Sequence, residues 1–134
     1  MKHLPTFHAR EFRKARASDP DQNCVRVARK LGWAVVWDDK LADGHTAKDA
    51  LLSSTELLYF TDEQFDAWQA GHRIGDTEGL CLSVTEREDG LYVVRAAVPQ
   101  PVDDVELAFD QHEVDAFYDG VHNHEFDAAE FATA

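Results

Sequence analysis

Phe60-Thr61-Asp62-Glu63-Gln64-Phe65-Asp66-Ala67-Trp68-Gln69-Ala70-Gly71 is answered, 49 residues later and without a gap, by Phe109-Asp110-Gln111-His112-Glu113-Val114-Asp115-Ala116-Phe117-Tyr118-Asp119-Gly120. Aromatic, capping and glycine positions coincide, the expected trace of a duplicated structural unit. Each stretch opens a helix with the same chemistry. Thr61 with Gln64, and Asp110 with Glu113, make a capping box: the first side chain accepts from a free backbone N–H and the second reaches back. Beyond the cap, Phe65 and Trp68 in one copy, and Val114, Phe117 and Val121 in the other, share a helical face that would lie on a sheet. Gly71 and Gly120 fall near the helix ends, where a left-handed residue is often required.

Upstream of each helix the period changes from helical to alternating. In the first copy, residues 24–29 place Cys24, Arg26 and Ala28 on one side and Val25, Val27 and Arg29 on the other. Gly32 turns the chain, residues 33–37 return as a hairpin, and residues 57–60 form a third strand. The second copy repeats this with residues 80–85, a turn at Glu88-Asp89-Gly90, and strands over 91–98 and 105–109. The third strand follows a long connection in copy one (residues 40–56, with Gly44, His45, Lys48 and Asp49) and a short one in copy two. Loops of the longer kind are usually functional or mobile. The prediction is an α+β fold of two βββα repeats, mainly antiparallel, with helices packed on the sheet. Residues 1–10 are read as an N-terminal arm or frayed end, 11–76 as repeat one, 77–127 as repeat two and 128–134 as a tail. One shared sheet and two packed halves both fit the pattern.

With 134 residues, half the chain would be marginal as a folding unit, so two copies sharing a core is the natural solution. Cys24 and Cys81 sit in apolar strand-like runs and are read as small buried hydrophobes rather than a disulfide. The absence of a long apolar run or of a signal-peptide core predicts a cytoplasmic protein with no membrane segment. The net charge is −13, yet residues 1–40 hold nine Lys/Arg against five Asp/Glu. The acidic body repels nucleic-acid phosphates and attracts basic protein surfaces, which excludes direct nucleic-acid binding from the reading despite Arg10, Arg13, Lys14 and Arg16 among Phe7 and Phe12.

Catalytic and metal chemistry find little footing. His122, His124 and Glu125, with His112 a helix earlier, lack the fixed spacing of a metal site and are read as surface groups. Asp38-Asp39 and Asp103-Asp104 flank strands and are read as turn formers. Phosphate-loop, dinucleotide and Gly-x-Ser-x-Gly patterns are absent. No cofactor, metal or catalytic residue is assigned, and the protein is read as non-enzymatic. Trp33, Trp37, Trp68, Tyr59, Phe65 and Phe117 are assigned to the core; any of them left exposed would anchor an interface.

Several stretches together resemble a family of small bacterial proteins, the domain-of-unknown-function family 397. They are Glu11-Phe12-Arg13-Lys14-Ala15-Arg16, Asn23-Cys24-Val25-Arg26-Val27-Ala28, Val35-Val36-Trp37-Asp38-Asp39, the run from Leu58 to Gly71, and Gly120-Val121-His122-Asn123-His124-Glu125-Phe126-Asp127. Ala15-Arg16-Ala17 stands where the family carries serines, Arg26 where it carries Glu, and copy two lacks the aromatic-Arg-Lys opening. The resemblance implies a regulatory partner of an Xre-type helix-turn-helix protein, in developmental control or an antitoxin-like pair. The acidic groups expected to meet that partner's basic face are Asp62, Glu63, Asp66, Asp110, Glu113 and Asp115. The competing readings are a small ligand- or metal-binding module or enzyme with a site between the repeats, lined by His45, Asp38 or His112, and a self-associating homo-oligomer.

Overall fold

The computed structural model describes residues 5–16, 25–38, 52, 54–102 and 104–131. Strands β1 (Arg13–Lys14), β2 (Val25–Lys30), β3 (Trp33–Asp38) and β4 (Leu57–Thr61) precede helix α1 (Asp62–Arg73). Strands β5 (Leu82–Glu86), β6 (Tyr92–Ala96) and β7 (Glu106–Phe109) precede helix α2 (Gln111–His122). The fold is α+β, each copy a meander of three main strands ending in a helix. Two separate antiparallel sheets result, ordered β1-β2-β3-β4 and β5-β6-β7. Both capping boxes form as expected: the Gln64 N–H donates to Thr61 Oγ1 at 3.2 Å and the Glu113 N–H to Asp110 Oδ1 at 2.8 Å.

One core joins the copies. Val27, Val36, Phe60, Phe65 and Trp68 from the first pack with Leu82, Val94, Leu107, Phe109, Phe117 and Phe126 from the second. The Trp68 and Phe117 rings, repeat equivalents, stack at 5.6 Å between centroids. Sharing a core is what the chain length demands, because neither copy alone could bury enough apolar surface.

The outer face of the first sheet carries a second layer. Ala28, Val35, Trp37, Leu57 and Tyr59 are covered there by Phe7 and Phe12. The frayed end expected for residues 1–10 is thereby corrected over residues 5–10: Phe7 is only 1% exposed, and its carbonyl accepts from the Leu52 N–H at 2.9 Å. Apolar strand faces with no other cover recruit the nearest aromatic residues.

Among the described residues the second sheet has no such aromatic cover, and its sequence has adjusted. The pairing Val35↔Tyr59 corresponds to Val93↔Ala108, and Trp37↔Leu57 to Arg95↔Glu106. Thus an apolar cross-strand pair has become a surface ion pair, Arg95 Nη2 to Glu106 Oε1 at 2.8 Å.

The hairpin glycines behave as read. Leu31 and Gly32, both at positive φ, form the two-residue turn between β2 and β3, and Gly90 takes positive φ in the β5–β6 turn. Gly71 and Gly120 do not: both remain helical, and the left-handed residues lie four positions on, at Gly75 and His124. In each copy the two bonds of a Schellman motif close the helix. Asp76 N–H to Gly71 O (2.8 Å) and Gly75 N–H to His72 O (3.1 Å) have counterparts in Glu125 to Gly120 (2.9 Å) and His124 to Val121 (3.2 Å).

Most of the connection at 40–56 lies outside the described residues, as do Cys24, Asp39, Asp103, Gly44, His45, Lys48 and Asp49. Within the described residues, no helix is long and apolar enough to cross a membrane.

Candidate partner-binding surface

Trp68 faces Phe117, His72 lies against Tyr118 and His122, and Arg73 Nε donates to the Val121 carbonyl at 2.9 Å. Contacts therefore advance in the same direction along both helices, which run side by side and parallel. Their capped N-terminal turns lie at one end of the pair, bringing all six predicted carboxylates to that end.

Their local roles differ. Arg29, on the core-facing side of β2, donates from Nη2 to Asp62 Oδ1 at 2.9 Å and from Nη1 to Asp66 Oδ1 at 2.7 Å. Its Nη1 also reaches the Phe126 carbonyl at 3.1 Å, joining β2, α1 and the segment after α2. Burial opposes the guanidinium charge most, but the hydrogen bonds and charges of Asp66 and Asp62 prevail and raise its pKa. Asp62 and Asp66 are thus neutralised internally, though their side chains stay roughly half exposed. Glu113 is buried, and its carboxylate accepts from the Asp110 N–H at 3.0 Å.

Among the described residues, three predicted carboxylates remain on the exposed surface without an opposing cation: Glu63, Asp110 and Asp115. Asp115 accepts only from Gln111 Nε2, at 2.7 Å among the bonds described, and Asp110 holds the α2 cap. The strand register explains the asymmetry. Ala28 pairs with Val35 as Thr85 pairs with Val93, so the counterpart of Arg29 in copy two is Glu86, an exposed acid. The α2 end has lost the cation that quenches the α1 end.

The other sequence candidates are dispersed. Asp38 is buried at the end of β3, whereas His112 is exposed on the first turn of α2. His124 Nδ1 lies 2.9 Å from Asp127, and Glu125 accepts from the Arg16 N–H at 2.7 Å. No group of three or more potential metal ligands converges among the described residues. His72, wedged against Trp68 and Tyr118, has its pKa lowered by burial first, then by His122 and Arg73.

Arg13 donates to the Glu130 carbonyl and lies over the Phe131 ring, so this part of the basic segment serves the fold. The Cys81 thiol is free and buried, pushed up to about 12 by desolvation, which leaves it inert as a nucleophile.

The aromatic anchors weighed from sequence are absent from the surface. Trp37, Trp68, Tyr59, Phe65 and Phe117 are buried and Trp33 is half-buried against Tyr59; among the described residues the exposed large apolar ones are Leu31 and Ile74.

Two open depressions are lined by described residues. One, of about 330 Å³, is lined by Arg29, Lys30, Leu31, Gly32, Asp62, Ala128 and Phe131. The other, of about 350 Å³, lies beside Gln100 and Arg95. Neither contains Asp38 or His112, and the seam between the helices is filled by Trp68 and Phe117.

Comparison with family models, with curated proteins and with solved structures finds no match to this chain.

Arg29 and Gln100 are the residues with decisive roles that sequence reasoning passed over. Arg29 had left a signal: alternation puts it beside Val25 and Val27, where a charge must find a buried partner. Gln100, an isolated polar residue between prolines, left none.

Proposed function

We propose that this chain is a non-enzymatic, cytoplasmic regulatory protein that binds the basic face of a helix-turn-helix regulator of the Xre type through the acidic end of its parallel helix pair. The reading draws on the resemblance to family 397 and on one structural observation above all: the α2 end lacks the arginine that neutralises its repeat equivalent. Carboxylates left without a cation at the N-terminal end of a helix raise on-rate and affinity for a basic surface. The chain's own negative charge makes it a poor ligand for nucleic acid, so it would act on the regulator and not on DNA. Copy one then serves mainly to brace copy two.

Titration calorimetry with a purified Xre-type regulator encoded beside this chain's gene tests the reading. Asp115→Lys should weaken binding by roughly tenfold or more, Glu63→Lys by less, and added salt should weaken the wild type. Asp115→Lys indistinguishable from wild type, at low as well as high salt, would sink the proposal.

A further inference from the structure

We infer that His72 and His122 form a two-histidine site for a divalent metal of the zinc, nickel or copper kind, set between the C-terminal turns of the two helices. Their ring centroids lie 5.2 Å apart, with the planes at 57°. Two imidazoles bound at about 2.0–2.1 Å to one tetrahedral metal place their ring centroids about 5 Å apart, so the spacing of this pair is that of a chelate. By sequence spacing His122 belongs with His124 and Glu125; its partner comes instead from the other copy.

The helices are pinned at the pair itself. Arg73, next to His72, donates from Nε to the carbonyl of Val121, next to His122, at 2.9 Å. His72 is held between the ring of Trp68, stacked at 5.2 Å, and that of Tyr118, at 4.1 Å. A ligand whose rotamer is already fixed by packing loses little freedom when it binds. His122 is exposed and opens the site to solvent. The ring nitrogens of His8 and His124 face Glu11 and Asp127, whereas neither imidazole of the pair has a carboxylate or hydrogen-bond partner among the described residues.

The electrostatics favour a cation there. Both histidines sit in the last turns of α1 and α2, and because the helices are parallel, the negative ends of two macrodipoles meet at one place. Burial, then His122 and Arg73, lower the His72 pKa, which keeps its ring in the neutral form that binds metal. Arg73 opposes a cation, but its guanidinium is committed to the Val121 carbonyl and to Asp127 at 3.1 Å. Tyr118, its pKa raised chiefly by burial, is a neutral neighbour. Imidazole nitrogen selects zinc, nickel and copper over magnesium and calcium. Two protein ligands leave the remaining positions to water or to a donor from outside, which makes this an open site. It lies at the opposite end of the helix pair from the proposed acidic interface and does not depend on that reading.

Zinc titration of the full chain at neutral pH, followed by calorimetry, thermal unfolding and imidazole nitrogen NMR, tests the inference. Equimolar zinc should shift the His72 and His122 rings together and raise the melting temperature, and excess magnesium should do neither. Binding should weaken as pH falls, because protons compete for the ring nitrogens. His122→Ala and His72→Phe should each weaken binding by about tenfold or more, and His124→Ala should leave it unchanged. Wild-type affinity in His122→Ala overturns the inference. So does zinc that moves only the His124 ring, or that does not bind at all at millimolar concentration. If His72→Phe does not fold, His122→Ala decides, since that side chain is exposed and carries none of the packing.

Discussion

Gly75 and His124 stand 49 residues apart and share a left-handed backbone, φ 80° and 58°, at the same point of two Schellman motifs. Glycine accepts that conformation freely, whereas a side chain costs about 1–2 kcal/mol. His124→Gly should therefore raise the stability of copy two's helix end, by up to about 1 kcal/mol after the entropy cost of glycine. Gly71 answers to a different constraint. A Cβ there would strike the Asp76 carbonyl and come within 2.6 Å of Leu80 Cδ1, so Gly71→Ala should destabilise by about 1–3 kcal/mol although alanine is the better helix former. Urea titration of both variants checks the opposite signs. From sequence, Gly71 and Gly120 were visible as special, but the reason was not. A glycine needed for close approach and one needed for positive φ look identical until the neighbouring segment is placed.

The elements themselves were readable because their causes are local. Alternation over 25–30 and 33–38, a two-residue turn at Gly32 and reciprocal caps at Thr61 and Asp110 each depend on a few adjacent residues. How α1 lies against α2 does not, and with it comes the seam of His72, Tyr118 and His122. The charged and titratable groups at that seam are His72, Arg73, His122 and Tyr118, with Asp115 acting on Tyr118. Because the folded state lowers the His72 pKa from an ordinary value near 6.5, the unfolded chain binds more protons as the solution is acidified. The His72 contribution is complete above about pH 6.5, declines as pH falls through the interval below it, and levels off once the folded state is also protonated. Stability measured from pH 8 to pH 5 should fall less steeply in His72→Phe than in wild type. An equally steep loss in both would show that His72 is not the group responsible.

The whole molecule is held by a crossing of copies that no single element announces. Arg29 binds α1 through Asp62 and Asp66 and the segment after α2 through the Phe126 carbonyl, while Arg73 binds Asp127 at 3.1 Å. Replacing both Asp62 and Asp66 by Asn leaves a buried guanidinium without a carboxylate, and should cost about 3 kcal/mol. The amides of residues 124–127 should then exchange faster than those of β6, which the clamp does not touch; equal change throughout would argue against a local clamp.

The sequence placed the six carboxylates at equivalent ends of the two helices, but not that Glu113 is buried among them. Asp62 and Asp66 are quenched and Asp115 is not because Arg29 meets residues 33 and 37 positions further along its own copy, whereas the matching strand position in the other carries Glu86. Duplication, meander, caps and core faces were legible because hydrogen-bond geometry and hydrophobic periodicity act over short spans of chain. The division into two sheets, the aromatic cover by Phe7 and Phe12, the parallel helix pair and the paired bonds of Gln100 to Tyr59 were decided only in three dimensions. They depend on which surfaces of distant segments meet, and side-chain burial and charge compensation are properties of that meeting.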